Sequence, residues 1–176
     1  MFKLVVLDMN DVLLYKTMDD LEDKISNNLT KIKLNRMILY FKPGIISFLE
    51  KLSKTCDIAL WTSGNEYNFK HFTNWIKENS SIKFRFIWYR DMCEMVGDEG
   101  HETIKKVKRI IKSPTINYNR IYNENNILIV DNDLTKVGMN KNYLIIEDKY
   151  KEDLMLGNIE MEDSMEDIFQ QILELF

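Results

Sequence analysis

Three short apolar runs in this chain each end in residues able to do chemistry. Residues 4–7 lead into Asp8, residues 57–61 into Thr62-Ser63, and residues 127–130 into Asp131-Asn132-Asp133. A carboxylate can attack phosphorus when a metal neutralises the incoming charge and the leaving oxygen receives a proton. Asp8 is the candidate nucleophile. Asp131 and Asn132 carry the oxygen donors that Mg2+ prefers, while Thr62 and Ser63 bring hydroxyls and backbone N–H groups for phosphoryl oxygens. A lysine would complete the charge balance, and "TIKKVKRI" supplies Lys105, with Lys106 nearly as good a candidate. Taken singly, each residue has an ordinary explanation: an aspartate after a strand forms turns, Thr-Ser caps helices, and a lysine on a helix face is solvated. Their joint occurrence, each at a strand terminus, favours a site.

The elements that must position these residues alternate. Residues 3–7, 57–61, 84–88, 127–130 and 143–146 are short and mostly continuous in apolar character, which predicts strands buried on both faces. Residues 44–54, behind Pro43, place Ile45, Phe48, Leu49 and Leu52 at helical spacing. Residues 65–78 and 103–112 are further predicted helices. Near the end, Ser164 and Asp167 resemble a capping box ahead of Ile168, Ile172 and Leu175 on one face. Alternation of this kind predicts right-handed βαβ units and a parallel sheet, with ligands outside the carboxyl ends of its strands. Residues 15–40 are polar and predict an excursion carrying a flap, hairpin or short helix. Residues 113–126 predict a loop. The aromatic-rich residues 84–89 fit buried strand packing better than a substrate groove.

At 176 residues the chain suits a single domain, 1–176, and its hydrophobic fraction of 45% is enough for one core. A net charge of -4 argues against a nucleic-acid-binding surface, which needs clustered Lys and Arg. Two cysteines suit a reducing compartment. No stretch reaches the roughly 20 apolar residues of a membrane span, and the first strand starts too early for a leader. An intracellular protein, cytoplasmic or nuclear, is expected.

Motif by motif, the chain resembles the haloacid-dehalogenase superfamily, in its branch of small C-terminal-domain phosphatases of the NLI-interacting-factor type. That branch opens on a strand and Asp-x-Asp-x-Thr/Val; here stands Asp8-Met9-Asn10-Asp11-Val12. Its Arg-Pro-Gly before a helix is matched by "FKPGIISFLEKLSK", with Lys42 for the arginine. "IALWTSGNEY", "WYRDMC", "TIKKVKRI", "ILIVDND" and the acidic ending "MEDSMEDIFQQILELF" follow in family order, so the resemblance covers nearly the whole chain. It implies a Rossmann-like α/β fold, a parallel sheet flanked by helices with no large cap domain, and phosphoprotein or phosphopeptide substrates. It further implies Asp8 as nucleophile and metal ligand, a main-chain carbonyl ligand from Asn10, and Asp131 with Asn132 completing an Mg2+ site. Thr62, Ser63 and Lys105 would bind phosphate, and Arg90 is a lesser substrate candidate.

Asn10 departs from the family, which places its acid/base aspartate there. An amide neither gives nor takes a proton at neutral pH, and losing a general acid/base costs about 10²–10⁴-fold in rate. Asp11, one residue on in a tight turn, is expected to point elsewhere. The sequence thus leaves an impaired Mg2+-dependent phosphatase, a pseudophosphatase that binds phosphorylated partners or serves as a scaffold, and a structural subunit with an empty site.

Overall fold

The computed structural model describes residues 1–19, 21, 29–97, 102–147 and 162–176, and of 162–164 only the backbone. In chain order the elements are β1 (Leu4–Leu7), β2 (Leu14–Thr17), β3 (Lys31–Leu34), β4 (Met37–Phe41), α1 (Ile45–Ser53), β5 (Asp57–Trp61) and α2 (Glu66–Asn79). They continue with β6 (Ile87–Trp88), a 3₁₀ turn (Arg90–Met92), β7 (Glu94–Val96), β8 (Glu102–Ile104), α3 (Val107–Lys112), β9 (Ile127–Asp131), α4 (Leu134–Val137), β10 (Tyr143–Ile145) and α5 (Glu162–Glu174).

The central sheet runs β10-β9-β1-β5-β6, with every neighbouring pair parallel. β1 is its middle strand, in register with both neighbours: Leu7 lies beside Leu60 on one side and Val130 on the other. The continuous apolar runs follow from burial on two faces. Val5, Leu7, Ile58, Leu60, Leu128 and Val130 pack under α1, α2 and α5, against Phe48, Leu49, Phe72, Ile76, Ile168 and Ile172. Leu4, Val6, Ala59, Trp61, Ile127 and Ile129 face Val107, Ile110, Tyr122 and Val137 on the other side. The helices follow the same logic: α1 buries Ile45, Phe48, Leu49 and Leu52 at helical spacing, and Asn65 caps α2 by accepting the Asn68 N–H.

Some local expectations change. Residues 103–112 are not one helix: residues 102–104 pair with β7 as a hairpin, and helix begins only at Val107. The run of apolar residues at helical spacing continues through the strand, so periodicity alone could not separate the two. The strand predicted over residues 84–88 shortens to β6, although Phe86 and Trp88 are buried as expected. The excursion over residues 15–40 carries an antiparallel sheet ordered β2-β4-β3, in which β3 and β4 are consecutive antiparallel strands, with residues 20 and 22–28 outside the described part. α5 starts at Glu162, so Ser164 stands inside its first turn and not at an N-cap. Among the described residues no helix is long and apolar enough to cross a membrane.

Gly64 closes the loop after β5 because of a close approach. A Cβ there would stand 2.0 Å from Phe69 Cε2 and 2.5 Å from Cδ2, and that ring is fixed in the core. Gly64→Ala should lower stability by about 1–3 kcal/mol, the cost of overpacking, and pull the Thr62 loop out of place. A denaturant melt, together with amide shifts at residues 62–64, checks both.

Candidate functional site

Asp8 follows β1, Asp131 closes β9 and Thr62 follows β5, so the three come to one edge of three adjacent parallel strands. The Asp8 N–H donates to Val130 O at 2.9 Å, and the Thr62 N–H to Trp88 O at 3.0 Å, which carries the sheet's hydrogen bonding one residue past the strand ends. Register therefore determines which side chains meet.

Lys105 comes to the same place from the far side of the chain. Its Nζ donates to Asp8 Oδ1 and, at 2.6 Å, to Asp131 Oδ2. Lys105 and Asp131 are fully buried and Asp8 nearly so. The lysine's backbone is tied down: its N–H donates to Lys136 O at 2.9 Å, and Asn140 Nδ2 donates to Lys105 O at 2.7 Å while Asn140 Oδ1 accepts the Val107 N–H. The neighbouring Lys106 turns outward to Glu94 at 2.5 Å. The strand-to-helix junction between β8 and α3 thus chooses between two lysines that sequence left level.

One ammonium shared by two carboxylates leaves a net negative cluster. Burial pushes the Asp8 carboxyl up to about 6, with Lys105 pulling it back and Asp131 adding to the rise. Burial alone would lower the Lys105 ammonium, but Asp8 and Asp131 outweigh it and hold it above the usual lysine range. The two directions agree, because the lysine faces two opposite charges and Asp8 faces one of each sign.

Asp131 commits both oxygens inside the protein, Oδ2 to Lys105 and Oδ1 to the Asp133 N–H at 3.0 Å. Sequence grouped Asp131 with Asn132 as metal ligands, and each Asp131 oxygen keeps a further lone pair beyond these bonds. Asn132 Nδ2 donates to Asp11 Oδ2 at 3.2 Å, and Asn10 Nδ2 donates to the same oxygen at 2.6 Å. Asp11 does not point elsewhere: its carboxylate lies between the two asparagines, with the backbone at φ 62°. Its carbonyl accepts from the buried Lys42 Nζ at 2.8 Å, and the Lys42 N–H reaches Leu13 O at 3.0 Å. Lys42, Asp11 and Asn140 are the residues sequence reading missed as parts of the site; the Lys42 substitution in the Pro-Gly motif was the one available signal.

Asn10 Oδ1 is buried and accepts no hydrogen bond from the described residues. No group of three or more His, Cys, Asp or Glu side chains among them could cage a metal. The candidate donors are the Asp8 carboxylate, the Asn10 main-chain carbonyl and the Asn132 side-chain oxygen. A few hard oxygens, with few carboxylates, fit Mg2+, which keeps several of its waters. Thr62 Oγ1 accepts the Gly64 N–H at 3.1 Å, leaving its own proton for another acceptor, and Ser63 Oγ is buried without a partner among the described residues. Arg90 sits beside this loop, its N–H donating to Gly64 O at 2.9 Å. Burial pushes the nearby Cys93 thiol up, with Lys105 opposing the rise. A cleft of about 410 Å³ opens beside these groups, lined by Asn10, Asp11, Tyr15, Lys16, Asn132 and Glu147 among others.

A parallel sheet carrying this constellation at its carboxyl edge, with two small antiparallel sheets added among the described residues, is the haloacid-dehalogenase fold. The chain belongs to the NLI interacting factor-like phosphatase family, whose model matches residues 3–171. Its fold is similar to that of Fcp1, an essential RNA polymerase II CTD phosphatase, at 14% identity over 98% of this chain and 54% of that one, with a TM-score of 0.59. It is equally similar to the fission yeast RNA polymerase II CTD phosphatase Fcp1, a point variant bound to beryllium fluoride, at 15% identity over 98% and 50% with a TM-score of 0.59. The chain spans about half the length of these structures. No curated protein matches it in sequence.

Two outcomes follow from the buried cluster. Lys105→Met leaves two carboxylates facing each other without a cation and should cost about 3–5 kcal/mol, read as a lowered unfolding midpoint. Because Asp8 is raised from 3.8 to about 6, the folded chain holds a proton there that the unfolded chain has lost. Its contribution to stability is therefore full below 3.8 and is lost as pH rises through about 6. A carboxyl NMR titration of Asp8 should show an inflection near the upper value; one near the ordinary aspartate value would refute the burial argument.

Proposed function

We propose that this chain is a Mg2+-dependent phosphomonoester hydrolase acting on phosphorylated serine or threonine in protein segments, slowed by Asn10. The observation that supports this best is the buried Lys105 bridging Asp8 and Asp131 beside the Thr62 loop. Burying three charges is unfavourable unless all are well paired, and a phosphoryl site gives such a cluster a use.

Asp8 attacks phosphorus through a carboxylate oxygen; the bond to the serine or threonine oxygen breaks and the phosphoryl group passes to Asp8. Thr62 and Ser63 donate hydroxyl protons to the phosphoryl oxygens, and Lys105 offsets their charge. Asp131 serves as the lysine's anchor. Asp8, the Asn10 main-chain carbonyl and Asn132 would hold Mg2+, which neutralises charge as the carboxylate and phosphate approach. Water then attacks the aspartyl-phosphate, the Asp8–phosphorus bond breaks, and inorganic phosphate leaves.

Both steps lack help at position 10. The departing alkoxide must take its proton from solvent water, and the attacking water must lose one to solvent, because an amide neither gives nor takes a proton. Aryl leaving groups, whose anions are more stable, should suffer less. The cleft beside Asn10 and the absence of a large cap among the described residues accord with a macromolecular substrate, and the two free cysteines accord with an intracellular setting.

The amide at position 10 also favours a second reading, a pseudophosphatase that binds phosphorylated segments or scaffolds partners without turnover. One set of measurements separates the two. Slow, Mg2+-dependent hydrolysis of an aryl phosphate, lost in Asp8→Asn, with phosphate trapped on Asp8 in acid-quenched protein, is the expected result. Tight binding of a phosphopeptide without hydrolysis would assign the chain to the second reading. Equal affinity for the phosphorylated and plain peptide, with no hydrolysis, would end both.

A further inference from the structure

We propose that Asp11 is a positioning residue that clamps the side-chain amides of Asn10 and Asn132. Asn10 and Asp11 then act as a matched pair, so that a carboxylate at position 10 works only when position 11 gives up its own. The proposal rests on the phosphatase reading for its activity readout alone.

A carboxylate accepts hydrogen bonds and donates none, so only the NH₂ end of an asparagine can face it. Asp11 Oδ2 receives Nδ2 of Asn10 at 2.6 Å and Nδ2 of Asn132 at 3.2 Å. Both amide orientations are thereby determined, and both carbonyl oxygens turn away from Asp11. The Asn10 Oδ1 left over is buried, with no partner among the described residues. An oxygen in that state is poised for a donor or a cation from outside them.

The backbone supports this reading. Asp11 lies at φ 62°, a conformation glycine adopts without steric cost. Lys42 holds the strained segment from below, through Asp11 O and Leu13 O, and so keeps the carboxylate aimed at the two amides.

The same geometry says what happens if the family's aspartate is put back. In Asn10→Asp the donor vanishes and two carboxylates meet across one hydrogen-bond length, with like charges repelling. In the double variant Asn10→Asp/Asp11→Asn the bond to position 10 re-forms with its direction reversed; because Asn10 and Asn132 share one oxygen of Asp11, Asn132 then turns its amide so that its oxygen accepts the second N–H introduced at position 11.

The test uses the full chain and five proteins: the natural sequence, D11G, N10D, D11N and N10D/D11N. Side-chain NH₂ exchange by NMR, without metal or substrate, should be slow at Asn10 and Asn132 in the natural protein and fast in D11G. Mg2+ titration followed by thermal shift should show about a 10–100-fold loss of affinity in D11G, as for residues that orient metal ligands, with the fold retained. Aryl-phosphate hydrolysis should rise less than about tenfold in N10D, rise about 10²-fold in N10D/D11N, the low end for a general acid/base because an aryl leaving group needs least help, and not rise in D11N. Fast exchange at both asparagines in the natural protein would overturn the clamp whatever the metal does. So would a D11G protein that binds Mg2+ unchanged, or a full gain in N10D alone. Failure of the phosphatase reading looks different: slow exchange that D11G releases, alongside hydrolysis that Asp8→Asn leaves untouched.

Discussion

One buried cation organises this molecule's working edge. Lys105 sits between Asp8 and Asp131, all three shielded from water, where an ion pair lacking good partners would be strongly destabilising. The arrangement is tolerable because register puts the two carboxylates at the ends of adjacent strands, and because Asn140 and Lys136 hold the lysine's backbone in place. Parallel pairing, two-sided burial of the strands and the chain's return through β8 all meet in this contact.

The remaining charge imbalance gives the site its character. Burial leaves Asp8 reluctant to ionise, with Lys105 opposing the rise and Asp131 adding to it, and the buried Asn10 Oδ1 has no partner among the described residues. Such an edge invites a divalent cation and an anionic ligand together. It is less well equipped to move protons, since the position that would do so carries an amide already committed to Asp11. The chain therefore shares the architecture of the phosphatase family while carrying an amide at position 10.

The fold around the site follows from two-sided packing. Every central strand contributes alternate residues to two cores, so continuous apolar runs were the visible sign of a sheet covered on both faces. The antiparallel β2-β4-β3 sheet was harder to see. Its strands expose one face in part, mix lysines with apolar residues, and lie beside residues whose composition is polar. The β7–β8 hairpin was hidden for another reason: residues 104, 107, 110 and 111 carry an apolar pattern that suits a helix, and tertiary pairing with β7 overrode it.

By itself the sequence determined the alternation of strands and helices, the strand-end positions of Asp8, Thr62 and Asp131, and the family that those motifs mark. These are local facts, written in hydrophobic period and spacing. Only the tertiary structure decided that Lys105 and not Lys106 enters the site, that Asp131 is committed to the lysine, and that Asp11 turns back to hold two asparagines. Each of those outcomes depends on a backbone direction at one residue: a strand-to-helix junction, a turn after β9, a left-handed φ after β1. A single dihedral sends a side chain to the site or to solvent, and spacing along a chain carries no record of it.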